Sequence, residues 1–186
     1  IICIALVFSL GFYLIVIYNN LVSLKNNISK NWSNIDVLLK QRYSELPKLI
    51  ETCKQYMQYE QETLEKIVNA RKSAISAADA HDIIGIGQAE SILKSGLSKL
   101  FALAENYPDL KTNESFHRLQ SRISELEDNI ADRRELYNDS VNLNNIRIQQ
   151  IPDVFIARAF NFNPADLLKF STEETQDIDM KSSFKN

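Results

Sequence analysis

The sequence predicts an all-α protein in which an N-terminal transmembrane helix continues into long packed helices. Three observations carry that reading. The chain opens with an uncharged apolar run, and apolar residues beyond it recur in steps of three and four. Glycine and proline are scarce, four of each in 186 residues, which favours long uninterrupted elements over a turn-rich β fold.

The opening run is IICIALVFSLGFYLIVIY, residues 1–18, relieved only by Ser9 and Gly11. As a helix, about 18 residues span roughly 27 Å, close to the hydrocarbon thickness of a bilayer. Tyr13 and Tyr18 lie toward its C-terminal end, where amphipathic rings favour the headgroup region. A cleaved signal peptide would have a shorter apolar core and a small-x-small site after it; YNNLVSLKNN follows instead. Lys25 and Lys30 come before the first acid, Asp36, so the positive-inside rule directs the C-terminal domain to the cytoplasm, the opposite side staying open.

From Ile28 a stripe runs through Trp32, Ile35, Leu39, Leu46, Leu49, Cys53 and Tyr56 to Leu64 and Ile67. Its period is that of packed helices. Arg42 interrupts it, with an aliphatic stem that can lie on the seam while its head reaches water. Pro47 removes a backbone donor and crowds the carbonyl four residues earlier, so a kink is expected and not a stop. A helix continuous to about Ala78 would project roughly 90 Å from the membrane. AADAHDIIGIGQ then reads as a break, with Asp79 and Asp82 as cap candidates. Gly85-Ile86-Gly87 is no dinucleotide loop: no strand precedes it, and Glu90 stands where a third glycine would be.

The next helix carries Leu93, Leu97, Leu100 and Ala104 on one face, with Gly96 suited to a close helix approach, and ends at NYPDLKTNES. From about Glu114 a third long helix shows Phe116, Leu119, Ile123, Leu126, Ile130, Tyr137, Val141 and Ile148. Arg133, Arg134 and Asn144 fall on or beside that seam. They read as a partly polar helix interface, or, more sharply, as an arginine paired with acids of a neighbouring helix to fix register. Pro152 ends the helix and starts a short amphipathic one, DVFIARAF. Packing on the bundle is the preferred role for this piece, ahead of an interfacial one with Val154, Phe155 and Phe160 toward lipid. The expected organisation is an anchor over 1–18, a helical bundle over 19–162 and a polar, disordered tail over 163–186.

Chemistry is sparse. A net charge of −3 gives no footprint for nucleic acid. Cys3 and Cys53 make no disulfide framework, and Cys53, on the apolar stripe without a nearby histidine, reads as a buried structural thiol. Glu114 and His117 have the Glu-x-x-His spacing of di-iron bundles, but such a site needs a second copy and two more glutamates, and His81 has no glutamate three residues before it. No motif for a nucleophile elbow, zinc protease, phosphate loop or paired cysteines occurs. No catalytic residue, metal site or cofactor is expected, and an enzyme reading has no residues to stand on.

Taken in order, YNNLVSLKNNI, NWSNIDVLLKQRYSELPKLIE, YEQETLEKIVNAR, LFALAENYPDLKTNESFHRLQ, IADRRELYNDSVNLNN and IPDVFIARAFNF resemble the LemA family of bacterial membrane proteins. The resemblance covers nearly the whole chain. Asn31, Ile151 and Asn161 depart from it where the family usually has Ala, Phe and Gly, as packing or loop variations. It implies a single-span anchor in the bacterial inner membrane carrying an antiparallel helical bundle, with no established catalytic activity. The residues it marks, Trp32, Asp36, Arg42, Pro47, Tyr107, Pro108, Tyr137 and Asn138, are fold and interface positions.

The function expected is a membrane-anchored scaffold that self-associates, the alternative being a regulatory subunit for a membrane protease, transporter or signalling protein. The stripe from Ile28 to Leu39 extends beyond what the second helix, of about 25 residues, can cover. It must meet another chain, lipid, or DVFIARAF. The interface candidates are therefore Ile28, Trp32, Ile35, Leu39, Arg42, Pro47, Arg133 and Arg134. The expected partners are the lipid bilayer, further copies of the chain and a membrane protein.

Overall fold

The computed structural model describes residues 2–170, and among them are six helices and no strand. The helices are α1 (Ile2–Lys54), α2 (Gln61–Asp79), α3 (Ile83–Ala104), α4 (Pro108–Lys111), α5 (Glu114–Arg147) and α6 (Asp153–Ala159). They are distributed over two compact units, Ile1–Asp36 with Asp132–Leu167, and Val37–Ala131 with Leu168–Asn186.

In the second unit the end of α1, α2, α3 and the start of α5 enclose one apolar core. Leu39, Leu46, Leu49 and Cys53 of α1, Ile67 of α2, Leu93, Leu97 and Leu100 of α3, and Ile123 and Leu126 of α5 are all buried. The first helix stops at Lys54, short of the expected Ala78. Residues 55–60 turn the chain, closed by Met57 N–H donating to the Cys53 carbonyl at 2.8 Å. Leu64 and Ile67 belong to a new helix that folds back on α1, and they continue the spacing only because α2 has a core face of its own. Between α2 and α3 the turn is very tight. His81 takes a left-handed conformation (φ 56°), Asp82 N–H reaches the Ala77 carbonyl at 2.9 Å, and His81 N–H reaches Ala78 at 3.1 Å. This is a Schellman ending. Asp82 then caps α3 by accepting from Gly85 N–H at 2.9 Å, while Asp79 is simply the last residue of α2. Gly96 allows the α2–α3 approach: a Cβ there would lie 2.9 Å from Cγ1 of Ile67.

Helix α1 runs unbroken through Pro47, whose ring is exposed. Proline withholds the N–H that would satisfy the carbonyl four residues earlier, that of Tyr43. Arg71 of α2 replaces it, donating from Nε to the Tyr43 carbonyl at 2.7 Å. Arg71→Met removes that donor and is expected to cost about 1–3 kcal/mol in thermal unfolding. Pro47→Ala restores the helical N–H and should recover most of the loss. Equal losses from Arg71→Met in either background would exclude this role for Arg71.

In the first unit, α1 and the second half of α5 run antiparallel. Trp32 packs edge-on against Tyr137 (centroids 5.7 Å apart), Asn31 donates to the Leu136 carbonyl at 3.2 Å, and Ile17 and Leu21 share a core with Ile148. Past a cis Ile151–Pro152 bond, α6 turns the chain around at the end of α5. The returning segment is irregular yet held by specific bonds. The Asn145 carboxamide accepts from Ala165 N–H and donates to the Ala165 carbonyl, both at 2.9 Å, and the Tyr137 hydroxyl donates to Asp166 at 3.0 Å. In the second unit Leu168 is buried and the Lys169 carbonyl occupies the space that a Cβ on Gly87 would need. Packed chain thus continues past residue 163, the expected start of the tail; residues 171–186, expected to be disordered, lie outside the described residues.

Candidate functional site

Two arrangements stand out, one in each unit. The first lies where α1 ceases to be bare. Large apolar residues from Ile2 to Val16 are exposed, including Phe8 at 75% and Phe12 at 69%. Ile17 is then buried with Leu21, Ile148 and Ala157, and Leu24, Ile156 and Phe162 pack around them. Tyr18 meets Phe160 and Phe162 edge-on, at 4.8 and 5.8 Å between centroids. The last turn of the apolar run therefore also belongs to the folded unit, so the boundary expected at residue 18 falls within this core. DVFIARAF packs on the bundle, as preferred, through Asp153, Ile156 and Ala157. Its other side, with Ile151 81% exposed, Phe155 64% and Phe160 58%, is bare.

Asn161 follows α6 in the left-handed conformation (φ 55°), with Phe162 N–H bonded to the Ala157 carbonyl at 2.9 Å. This is a second Schellman ending. It explains why the departure from glycine is tolerated here, because asparagine is the side-chain-bearing residue best suited to that conformation. Arg147 Nε stands 2.7 Å from Oδ1 of buried Asp153. The distance is that of a hydrogen bond but no aligned N–H is directed at the oxygen, so the contact acts as a charge pair.

The second arrangement is a buried ion network. Arg42 is 2% exposed and Glu90 1%. The Arg42 guanidinium bonds one oxygen of Glu90, and the Tyr43 hydroxyl donates to the other at 2.5 Å. Glu127 approaches Arg42 only to 3.7 Å, and its Oε1, like Nε of Arg42, makes no hydrogen bond. Burial lowers the Arg42 pKa, with the Tyr43 and Glu127 charges opposing it. Burial also raises that of Glu127 against the pull of Arg42 and Lys94. A carboxyl whose pKa is raised by folding weakens the fold as pH rises through its ordinary and raised values, so Glu127 is the lesser partner. Arg42 thus corrects the expectation of a head in water: it is enclosed, and its partner lies 48 residues along the chain. Arg133 is exposed and Arg134 half-buried.

Of the other interface candidates, Ile35 and Leu39 are buried within the chain's own fold. The long α5, and not the shorter second helix, covers the stripe whose bareness motivated them. Ile28 and Trp32 are half-buried and line a cleft of about 400 Å³ with Tyr137, Asn144, Asn161 and Phe162. Pro47 is exposed. Glu90 was missed although a signal existed: it stands among Ile86, Leu93 and Leu97 on an apolar face, as Arg42 does on another. Burial pushes the Cys53 thiol up to about 12, far from a nucleophile. His117 is exposed beside the Lys111 carbonyl, and no group of three or more potential metal ligands gathers among the described residues.

These features define a helical-bundle protein with one N-terminal helix long and apolar enough to cross a membrane. Residues 31–182 match the sequence model of the LemA family, and the chain belongs to that family. It is also similar to the magnetosome proteins MamQ 1 and MamQ 2 of Paramagnetospirillum magneticum, each 23% identical over 176 residues, covering 82% of this chain and 65% of the relative. Magnetosome protein MamQ of Magnetospirillum gryphiswaldense is 22% identical over 172 residues, with 80% and 63% covered. The chain thus spans just under two thirds of the length of these relatives. Membership and the apolar helix together support a single-pass membrane protein.

Proposed function

We propose that this is a non-catalytic scaffold of the bacterial inner membrane, held by α1 with its bundle on the cytoplasmic side, that self-associates beside the bilayer. The cytoplasmic side rests on Lys25 and Lys30 preceding any acid after the apolar run. The relatives' membership of a magnetosome, in their names, is in keeping with a role at a membrane. The observation that carries self-association is an outward stripe on α5: Leu136, Leu143 and Ile146 are 48–56% exposed, at steps of seven and three, on the helix whose other face covers α1. This moves the contact away from the Ile28–Leu39 stripe. Helices already confined to one plane by their anchors meet at a high effective concentration, so a modest apolar seam suffices.

The test is disulfide trapping in native membranes with Cys3→Ser and Leu143→Cys. A band at twice the chain's mass is expected on mild oxidation, and Leu143→Glu in detergent should reduce the particle to one chain. A Leu143→Cys protein that never cross-links, in particles no larger than a monomer, would remove self-association. One foreign protein in fixed ratio would favour the regulatory-subunit reading.

A further inference from the structure

We infer that the outer side of α6, with Ile151 and Phe160 at its flanks, is a second membrane contact, a wedge that enters the headgroup region of the same bilayer that holds α1. The inference rests on the anchored reading above and adds a surface to it. Its first support is position. Helix α5 packs beside α1 as far as Ile148 against Ile17 and Leu21, and the chain then turns through α6 before returning past Asn145 and Tyr137. Thus α6 closes the end of this unit from which the bare apolar residues emerge. The second support is continuity: Phe160 meets Tyr18, the last residue of the apolar run, edge-on, so its exposed ring adjoins the surface that α1 presents to lipid.

Composition agrees. Two phenyl rings and an isoleucine are exposed here, large apolar side chains with no polar atom to offer water. The polar groups beside them suit an anionic surface: Arg158 and Lys25 are exposed, while the acid of α6, Asp153, is buried against Arg147. Seven residues would bind lipid weakly as a free peptide. Held at the surface by a covalent span and pinned by Ala157 and Ile156, the same face pays no cost of encounter.

The experiment uses the full chain with Cys3→Ser, buried Cys53 retained, and one nitroxide label at a time, in vesicles of phosphatidylcholine and phosphatidylglycerol. Labels replace Ile151 and Phe155, which are exposed and whose loss spares the core, with Leu10 and Tyr59 as references. Relaxation by oxygen and by a water-soluble nickel complex gives depth. The expected result places labels 151 and 155 about 5–10 Å into the headgroup–acyl boundary, label 10 deeper, and label 59 in water. Labels 151 and 155 in water with label 10 in lipid would overturn the wedge and leave the anchor standing. Label 10 in water would overturn both. Labels 151 and 155 shielded from both reagents would mean that a second protein surface covers this face, and would also overturn the wedge.

Discussion

Arg42→Met is expected to lower the unfolding free energy by about 3–5 kcal/mol, because it strands a buried carboxylate without its counter-charge. Glu90 is 1% exposed and would keep only the Tyr43 hydroxyl, at 2.5 Å. Glu90→Leu should cost a similar amount for the converse reason, since Glu127 at 3.7 Å is too far to hydrogen-bond Arg42. The informative variant is the double one. With both charges replaced by apolar groups of comparable volume the desolvation cost disappears, and Arg42→Met with Glu90→Leu should be far less harmful than the two losses added together. Thermal or urea unfolding in detergent, followed by helical circular dichroism, measures all three. Additive losses would show that the two side chains act through packing and not through their charges.

The second large effect concerns α1. Leu6→Arg with Leu10→Arg places two charges in the middle of the apolar run, each costing about 2.5–3.5 kcal/mol at the centre of a bilayer. Together, about 5–7 kcal/mol amounts to more than a thousandfold against the membrane-inserted state. The unaltered chain should stay with membranes after alkaline carbonate extraction, and the double variant should appear in the supernatant. Tyr59→Arg, at a site 91% exposed in the α1–α2 turn, controls for added charge and should stay in the pellet. Retention of the double variant would mean that the chain is held by something other than this run.

Much of the fold was legible because its helices advertise themselves through spacing. Ile35, Leu39, Leu46, Leu49 and Cys53 are all buried, and the breaks at His81 and before Glu114 were marked by turn and cap chemistry. The end of α1 was not. Residues 55–60 contain neither glycine nor proline, and α2 resumes in phase, so no local cue separates a turn from a continuing helix. What the sequence concealed at the candidate sites was pairing over distance. Glu90 for Arg42, Arg71 for the carbonyl orphaned by Pro47, and Asn145 for Ala165 lie 48, 28 and 20 residues apart, and no local pattern joins them. The amphipathic character of DVFIARAF could be read. Which of its sides would meet α1 depended on a turn that only the folded chain displays.

One feature of α1 reaches beyond anchoring. From Ile2 onward its backbone has no break before Leu21 and Leu24, the residues on which Ile148 and Phe162 rest. A helix adapts to a thinner or thicker bilayer chiefly by changing its tilt, unless a hinge absorbs the difference. Here there is none, so leaning of the rod is transmitted directly to the aromatic collar at Tyr18 and Phe160. A change in tilt would therefore load the contacts of Tyr18 with Phe160 and Phe162 before it reached any loop.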